Sequence, residues 1–443
     1  MSELTRDIRT MASDLRLRPA SGSDDSRPLS VSLRLGRLQF HLSGKFRVLQ
    51  FADVQAGPKV SRDTIRLIRA AVESARPDVA VFTGNQIAGY DEAYEETFRK
   101  RRWSPSRTHG GPGAASRRAA LDRTERLVRD TIAAFTAPLQ ELGVPWAVTY
   151  GNHDLQCGLD PDRMDAVYRG FPGCLNAVPD TAGSVSGVSG RVRPPLPDQN
   201  VLVCEPGTFA LPVSDVDHDR TVIGLALVNS GDYSRSGGYG SPSRGALEFL
   251  AALRPRIAAP SMVFQHFAVP QYYRLMREAP RTAAHAIEGY RAFAGRSFVL
   301  DESCTLPGGY LGEGVSCPDV DSGEFDVVRR SGSCFAIACG HDHRNGFVGD
   351  ADGITLMATP TCGFDSYGPA PSHVAARLLE FDIRHPDRPR TQLLQFGDLV
   401  GKSAGRKNYT YALNDVKSSS GETIDLLHRP GTFARLLHRL GLG

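Results

Sequence analysis

Residues 146–154 read WAVTYGNHD, and residues 334–343 read CFAIACGHDH. In each stretch a short apolar run is followed closely by a glycine and a cluster of polar side chains. Short apolar runs bounded by turn residues are typical of buried β-strands. In open α/β folds, ligands bind outside the carboxyl ends of the strands. The two stretches therefore predict a β-sheet with a functional site along one edge.

Three other apolar runs also end in polar side chains. They are residues 46–51 before ADVQ, 79–82 before TGNQ and 261–264 before QHF. Later in the chain, the runs 354–358 and 378–383 predict further strands. Because the carboxyl ends of parallel strands meet at one edge of a sheet, the polar side chains are expected to converge there.

Two segments between the predicted strands have apolar residues at helical spacing. Residues 61–76 predict a helix with Ser61 as its N-cap. Residues 119–142 predict a second helix, which Pro138 is expected to kink or shorten. The alternation of strands and helices predicts parallel pairing in a buried sheet that helices cover.

The sequence predicts one core domain between two flanking segments. Residues 1–44 are predicted to be a peripheral lead-in, and residues 399–443 a tail with a short helix at 433–440. The core of residues 45–398 is predicted to contain three insertions, near 99–118, 182–200 and 301–332. The first insertion is basic, so it is interpreted as an exposed loop that could attract an anionic substrate.

Composition excludes several classes of protein. The 443 residues include 52 basic and 49 acidic side chains, and this balance makes nucleic acid an unlikely partner. No apolar run reaches about 18 residues, so no membrane span is predicted. Eight cysteines without a C-x-x-C pair predict neither a disulfide scaffold nor a zinc ribbon. The composition predicts a reduced, cytoplasmic protein.

The five predicted strand ends carry side chains that can bind metal ions. They are Asp53 and Gln55, Asn85, Asn152 with His153 and Asp154, His266, and His341 with Asp342 and His343. Imidazole, carboxylate and amide oxygen atoms are ligands for zinc, manganese and iron. Two such ions can bind a phosphate ester and lower the pKa of a bridging water. Alternatively, His266 could be a core histidine, Asn85 a turn residue and Asp53 a loop cap.

The ordered set DVQ, GN, GNHD, QHF and GHDH resembles the calcineurin-like metallophosphoesterase superfamily, which includes the purple acid phosphatases. The pattern of that superfamily is D-x-H, G-D, G-N-H-[D/E], H and G-H-x-H, in this order. The match extends over residues 46–345, about two thirds of the chain. The resemblance implies a four-layer α/β/β/α sandwich with a dimetal centre at the carboxyl ends of the strands.

The resemblance also implies a role for each matching residue. The metal-binding positions would be Asp53, Gln55 and His343 at the first metal, Asn85 between the metals, and Asn152, His266 and His341 at the second. His153 would contact the phosphate and assist the leaving group, with Asp154 orienting it. The cofactors would be two divalent ions of manganese, iron or zinc, with magnesium also possible.

Two residues depart from the superfamily pattern. Asn85 stands where the pattern has the bridging Asp, and Gln55 stands where it has the first His. The first change removes a negative charge between two cations, and the second replaces a nitrogen donor with a neutral amide oxygen. The first metal site is therefore predicted to be weak, or to prefer a harder ion.

The predicted function is a metal-dependent phosphatase or phosphodiesterase in which a metal-bound hydroxide attacks the phosphorus of a phosphate ester. The substrate would be a phosphorylated small molecule or a phosphoprotein. One alternative is a weakened family member that binds a phosphorylated ligand or partner without efficient turnover, because of Gln55 and Asn85. Another is an interaction protein that uses the basic insertion and the tail. The complete GNHD and GHDH motifs favour the enzyme, since a binding protein has less need of His153.

This interpretation makes a geometric prediction. Asp53, Asn152, His266, His341 and His343 should lie together although they are far apart in sequence. Because zinc–nitrogen bonds are about 2.0–2.1 Å long, His266 and His341 rings more than about 8 Å apart would contradict a dimetal site.

Overall fold

The computed structural model describes residues 27–104, 114–178 and 195–401. Much of the predicted lead-in, parts of the first two insertions and nearly all of the tail, including the helix predicted at 433–440, lie outside these residues. The fold below is that of the described residues.

The described residues form fifteen strands. They are β1 (Lys45–Phe51), β2 (Val79–Thr83), β3 (Trp146–Thr149), β4 (Leu202–Glu205), β5 (Thr208–Ser214), β6 (Thr221–Val228), β7 (Ser261–Gln265), β8 (Met276–Glu278), β9 (Ile287–Glu288), β10 (Ser297–Leu300), β11 (Cys334–Cys339), β12 (Phe347–Ala351), β13 (Ile354–Ala358), β14 (Ala375–Asp382) and β15 (Arg390–Gln395). The predicted strand positions are thus confirmed, whereas β4, β5, β6, β8, β9, β10, β12 and β15 were not predicted.

Eight α-helices accompany these strands in the described ranges. They are α1 (Val31–Leu35), α2 (Arg62–Ala75), α3 (Ala114–Glu141), α4 (Pro161–Arg169), α5 (Arg244–Ala251), α6 (Leu253–Ile257), α7 (Glu324–Ser331) and α8 (Phe396–Leu399). Short 3-10 helices occur at Glu92–Tyr94, Asp154–Cys157, Pro270–Leu275, Arg291–Phe293 and Pro371–His373. None of the helices in this part of the chain combines the length and the apolar character needed to cross a membrane.

The strands form two large sheets and one small one. The first large sheet has the order β15-β14-β1-β2-β3, and the second has the order β12-β13-β11-β7-β6-β5-β4. Pairing is parallel from β1 to β3 and across β6, β7, β11 and β13, as predicted for the strands that carry the motifs. The outer strands pair antiparallel, and so does the small sheet β8-β10-β9.

Alternating side chains on the strands produce the four layers. Val48 and Phe264 point into the core between the two sheets. Their neighbours Leu49 and Val263 point outward, where they join the apolar faces of α2 and α3 on one side and of α5 and α7 on the other. Because successive side chains in a strand face opposite ways, each sheet buries both of its faces. The predicted α/β/β/α sandwich is confirmed.

Two helices test the predictions of local structure. The Ser61 hydroxyl accepts a hydrogen bond from the Asp63 N–H at 3.3 Å and caps α2, which ends at Ala75. The left-handed residue Arg76, with φ 47°, terminates this helix. Pro138 lies in the last turn of α3, which continues to Glu141, so the predicted shortening is wrong. A proline this close to the C-terminus disturbs few of the hydrogen bonds of the helix.

The described end of the predicted lead-in packs against the core. Leu38 and Phe40 are buried between the two sheets. The Ser30 hydroxyl donates to the backbone carbonyl of Asp78 at 2.7 Å. The domain boundaries predicted from the sequence stay a prediction, but these contacts attach residues from Ser30 onward to the sandwich.

A buried carboxyl group begins helix α7. Glu324 is 2% exposed, and its Oε1 has no hydrogen-bond partner among the described residues. Its Oε2 lies 3.4 Å from the Nε2 of Gln265, the last residue of β7. Burial, with the nearby Asp321 charge, raises the pKa of Glu324 to about 8 despite the hydrogen bond from Gln265.

We predict that Glu324→Gln stabilises the fold increasingly as pH rises. An acid whose pKa is higher in the folded than in the unfolded chain loses stability between those two values, here from about pH 4.5 to about pH 8. One pKa unit corresponds to about 1.4 kcal/mol. The free energy of unfolding of the variant should therefore exceed that of the parent by about 2–4 kcal/mol at about pH 8, and the two should differ little at about pH 4. Urea unfolding at several pH values measures this difference.

Glu380→Gln is the matched control of opposite sign. Burial raises the pKa of Glu380, but hydrogen bonds from Arg390 and Arg47 outweigh it and lower the pKa overall. Glu380 therefore stabilises the folded protein at pH values above the pKa of an ordinary glutamate, and this stabilisation is lost on acidification. This variant should be less stable at pH 7, with the deficit shrinking at low pH. If the difference in unfolding free energy between Glu324→Gln and the parent does not change with pH, the raised pKa of Glu324 is contradicted.

Candidate metal centre

The polar residues that follow five strands meet at one edge of the sandwich. Asp53 follows β1, Asn85 follows β2 and Asn152 follows β3, all in the first sheet. His266 follows β7 and His341 follows β11, both in the second sheet. The ring centroids of His266 and His341 are 4.8 Å apart, which is well inside the distance limit set from the sequence.

Three of the site residues have a left-handed backbone conformation, which directs their side chains into the site. Asp53, Asn85 and His341 have φ values of 52°, 53° and 70°. This region is sparsely populated by residues other than glycine, and such strain concentrates at functional sites. The turn conformation anticipated for Asn85 is therefore present, and it coexists with a side chain that faces the other site residues.

Two motif glycines allow the ligands to approach each other. A Cβ on Gly151 would lie 2.3 Å from Oδ1 of Asn85 and 2.7 Å from Nε2 of His266. A Cβ on Gly84, which has φ 93°, would lie 2.6 Å from Nδ1 of His266. No side chain fits at either position without displacing the histidine.

At the second site, two hydrogen-bond acceptors face each other. Nδ1 of His266 lies 3.0 Å from the Thr83 carbonyl, so this nitrogen carries the ring proton. Burial lowers the pKa of His266, although Asp53 raises it, and this shift favours the form in which Nε2 is an acceptor. Nε2 lies 3.0 Å from Oδ1 of Asn152. Nδ1 of His341 is also buried without a partner among the described residues.

The first site pairs a histidine with a carboxylate: burial lowers the pKa of His343, but Asp53 and Glu313 outweigh burial and raise it. Nδ1 of His343 lies 2.6 Å from the Tyr367 carbonyl, and its ring stacks on the Tyr367 ring with centroids 4.2 Å apart. This arrangement directs Nε2 toward Oδ1 of Asp53 at 3.4 Å. Burial raises the pKa of Asp53, but the charges of His343 and His266 outweigh burial and lower the pKa overall. The other carboxylate oxygen of Asp53 accepts the His341 N–H at 2.7 Å.

Asn85 presents a donor where the superfamily pattern has a carboxylate. Its Oδ1 accepts the His153 backbone N–H at 2.8 Å, which fixes the orientation of the amide. Its Nδ2 therefore points at Oδ1 of Asn152, 3.2 Å away. Gln55 donates from Nε2 to the Tyr90 hydroxyl at 2.9 Å, and its Oε1 is buried without a described partner. The departure at residue 85 thus replaces a negative charge with an N–H dipole.

Asp154 does not orient His153. Its carboxylate accepts three backbone N–H groups, from Asn85 and Gly151 at 2.7 Å and from Ile87 at 2.9 Å. Burial raises the pKa of Asp154 to about 7, although these hydrogen bonds lower it. The carboxylate therefore holds the two strand-end loops together, and the role predicted for it is corrected.

Gln156 takes the orienting role instead. Its Oε1 lies 2.8 Å from Nδ1 of His153, and the Tyr90 ring packs edge-on against the imidazole. Burial lowers the pKa of His153 to about 4, despite the hydrogen bond that its Nδ1–H donates to Gln156. An amide oxygen accepts from Nδ1–H and so leaves Nε2 of His153 free for a ligand.

The third predicted insertion braces the loop that carries His341 and His343. Oδ1 of Asn345 accepts the N–H groups of Gly312 and Glu313 at 3.0 and 3.1 Å. Oε1 of Glu313 accepts the Arg344 N–H at 2.9 Å. The sequence analysis did not predict these residues or Gln156, because their roles depend on contacts between distant segments. The only sequence feature that could have indicated one of these roles is the position of Gln156, shortly after the GNHD motif in the sequence.

The donor set fits divalent cations. Asp53 Oδ1, Gln55 Oε1 and His341 Nδ1 are buried acceptors without partners in the described residues, and unpaired buried acceptors are costly. Among those residues, no three His, Cys, Asp or Glu side chains form a metal-binding group by themselves. Any ion bound here must therefore also be coordinated by amide oxygens. Among these, Oδ1 of Asn152 lies nearest to a histidine nitrogen, Nε2 of His266.

Comparison with curated proteins identifies relatives. The chain is 24% identical over 370 residues to "Probable inactive purple acid phosphatase 28" of Arabidopsis thaliana, covering 77% of each protein. It is 21% identical over 390 residues to "Probable inactive purple acid phosphatase 29" of the same plant, covering 80% of this chain and 82% of that protein. The chain is thus similar to purple acid phosphatase-like proteins, which is consistent with the resemblance to calcineurin-like metallophosphoesterases.

Other comparisons of this chain are less informative. No family model matches its sequence. Among solved structures, a dimetal phosphatase from Danio rerio is 13% identical, with a TM-score of 0.36, and the match covers 79% of this chain and 99% of that one.

We predict that Asn85→Asp raises the affinity of the candidate metal centre for metal. The new carboxylate keeps the hydrogen bond from His153 but faces Oδ1 of Asn152, so it needs a cation between the two oxygens. The variant should bind more manganese per chain, measured by elemental analysis after dialysis at micromolar metal. Without metal it should melt below the parent, and added metal should raise its melting temperature by more.

Asn200→Asp is the control, because it adds the same charge at an exposed position. Equal metal content and equal melting behaviour of the parent and the Asn85→Asp variant would show that residue 85 does not limit metal binding.

Proposed function

We propose that this chain is a metal-dependent phosphoesterase, hydrolysing the phosphate ester of a small molecule or a phosphoprotein. The observation that carries the proposal is the convergence of nitrogen and oxygen ligand atoms from both sheets. Nε2 of His266 faces Oδ1 of Asn152, and Oδ1 of Asp53 faces Nε2 of His343. A divalent cation bound among these atoms would also satisfy the buried atoms that lack partners in the described residues, Asp53 Oδ1, Gln55 Oε1 and His341 Nδ1.

We assign Asp53, His343 and Gln55 to a first, weaker ion, and Asn152, His266 and His341 to a second ion, with Asn85 between them. Bound divalent ions of manganese, iron, zinc or magnesium would lower the pKa of a coordinated water and offset the negative charge of the phosphate. The protein orients these ligands through hydrogen bonds to Thr83 and Tyr367, which fix the ring nitrogen that faces the site.

His153 acts on the phosphate in this proposal. Gln156 holds its ring, and the free Nε2 is available to contact a phosphate oxygen or the oxygen of the leaving group. Because burial disfavours the imidazolium, the negative charge of the phosphate is needed to favour its protonated form. His153 is thus a catalytic residue rather than a ligand.

A second candidate function is binding of a phosphorylated ligand without efficient turnover. The curated relatives carry the words "probable inactive" in their names. In this chain the Asn85 amide directs an N–H at Asn152, which weakens any second ion. The two candidates predict the same ligand chemistry and differ in turnover.

Hydrolysis of an aryl phosphate monoester and of a diester, with manganese, iron, zinc or magnesium, distinguishes the two candidates. The phosphoesterase proposal requires turnover that chelation abolishes and that a His266→Ala variant lacks. If the parent and this variant release product at the same rate with every ion, the enzymatic proposal fails. Metal-dependent binding of inorganic phosphate would then support the binding function.

We predict that His153→Gln lowers kcat without loss of metal. General acid–base assistance contributes about 10²–10⁴-fold, so turnover should fall by a factor in this range. The metal content should stay at the parent level, because no ion is assigned to this ring. The exposed His385→Gln is the control and should change neither quantity. Loss of metal in His153→Gln would make residue 153 a ligand instead.

A further inference from the structure

Residues of the basic insertion are anchored beside the candidate site through Gln156. The Arg99 N–H donates to the Gln156 carbonyl at 2.9 Å, and Nε2 of Gln156 donates to the Lys100 carbonyl at 3.1 Å. Oε1 of the same side chain holds the His153 ring. One amide group thus connects the ring assigned to catalysis with the backbone that precedes Arg101.

The Arg101 guanidinium lies over the ring of Tyr233, a residue that contacts Asn152. Its Cζ is 3.4 Å from the centroid of the Tyr233 ring. The Tyr233 hydroxyl accepts a hydrogen bond from Nδ2 of Asn152 at 2.9 Å. A single tyrosine therefore separates this cation from a proposed metal ligand.

The charge of Arg101 is not neutralised by a carboxylate in the described part of the chain. Its neighbour Arg102 lies 3.9 Å from Asp232, whereas Arg101 has no ion pair there. Nη1 of Arg101 donates to the Lys100 carbonyl at 2.9 Å, and the guanidinium also hydrogen-bonds to Tyr233. A guanidinium has five N–H donors, so others remain without a partner among the described residues. Stacking on an aromatic ring holds a guanidinium in place while its N–H edge stays open.

We propose that Arg101 binds the phosphate group of the substrate, contacting its non-bridging oxygens on the side of Asn152. The inference rests on the proposed phosphoesterase function and names a residue that recognises its substrate. A guanidinium fork matches the geometry of phosphate oxygens, and charge-assisted hydrogen bonds of this kind are the strong ones. Asp53 is the one carboxylate among the proposed ligands, so the loaded site is cationic and suits a phosphate dianion.

The arrangement gives Arg101 and His153 complementary positions. Gln156 contacts both the His153 ring and the Lys100 carbonyl, so it connects the His153 ring with the backbone that precedes Arg101. His153 packs against Tyr90, and Arg101 stacks on Tyr233, which contacts Asn152. A phosphate held between them would be contacted by both.

The test is titration calorimetry of inorganic phosphate into the metal-loaded protein. Arg101→Gln should weaken phosphate binding about 10- to 100-fold, and Arg101→Lys should weaken it less. Lys100→Gln is the matched control. It removes a neighbouring exposed charge but keeps the backbone carbonyl, and it should change affinity less than about twofold. Metal content and melting temperature should be unchanged in all three variants.

Several results would overturn the inference. They are equal phosphate affinity of Arg101→Gln and Lys100→Gln, loss of metal in Arg101→Gln, and absence of phosphate binding by the loaded parent. The proposed function fails separately, when the loaded parent hydrolyses no ester. Arg101-dependent phosphate binding without turnover would retain the inference for a binding protein. If turnover is present, Arg101→Gln should raise the KM for the aryl monoester, whereas Lys100→Gln should not.

Discussion

Two hydrogen bonds between the sheets hold the candidate site together. His266, from the second sheet, donates to the Thr83 carbonyl at the end of β2, and the His341 N–H donates to Oδ2 of Asp53 beyond β1. Since the proposed ligands come from both sheets, their separation depends on how closely the sheets pack. The apolar layer between the sheets therefore determines the geometry of the site as well as the stability of the fold.

The packing of the two sheets also brings hydrogen-bond acceptors close to each other. Asn85 changes how unfavourable their proximity is. In the absence of a cation, the Nδ2 donor of Asn85 satisfies Oδ1 of Asn152, which also faces the unprotonated nitrogen of His266. A carboxylate at residue 85 would add a further acceptor to this cluster. Asparagine thus stabilises the metal-free site and weakens the loaded one, because two divalent ions lose the charge that offsets their repulsion.

The sequence allowed prediction of the features that depend on local pattern. Apolar runs ending in polar residues located β1, β2, β3, β7 and β11, and Ser61 predicted the start of α2. Contacts between distant segments could not be predicted from such patterns. Gln156 has no motif of its own, and its role arises because one amide reaches both His153 and Lys100. The role of Asp154 was predicted wrongly because backbone N–H groups compete successfully for its carboxylate.

The distribution of negative charge explains why Asp53 is central. Asp154, Glu313 and Asp342 are also carboxylates near the site, but each accepts backbone N–H groups, from Gly151, Arg344 and Ser316 respectively among others. Burial raises the pKa of all three, and in Asp342 the charge of Glu313 raises it further. A carboxyl group with a raised pKa that accepts backbone N–H groups organises loops rather than offsetting cations. Asp53 alone among these four has a lowered pKa, because interactions with His343, His266 and the His341 N–H outweigh its burial, so the compensation of any bound ions depends mainly on this one side chain.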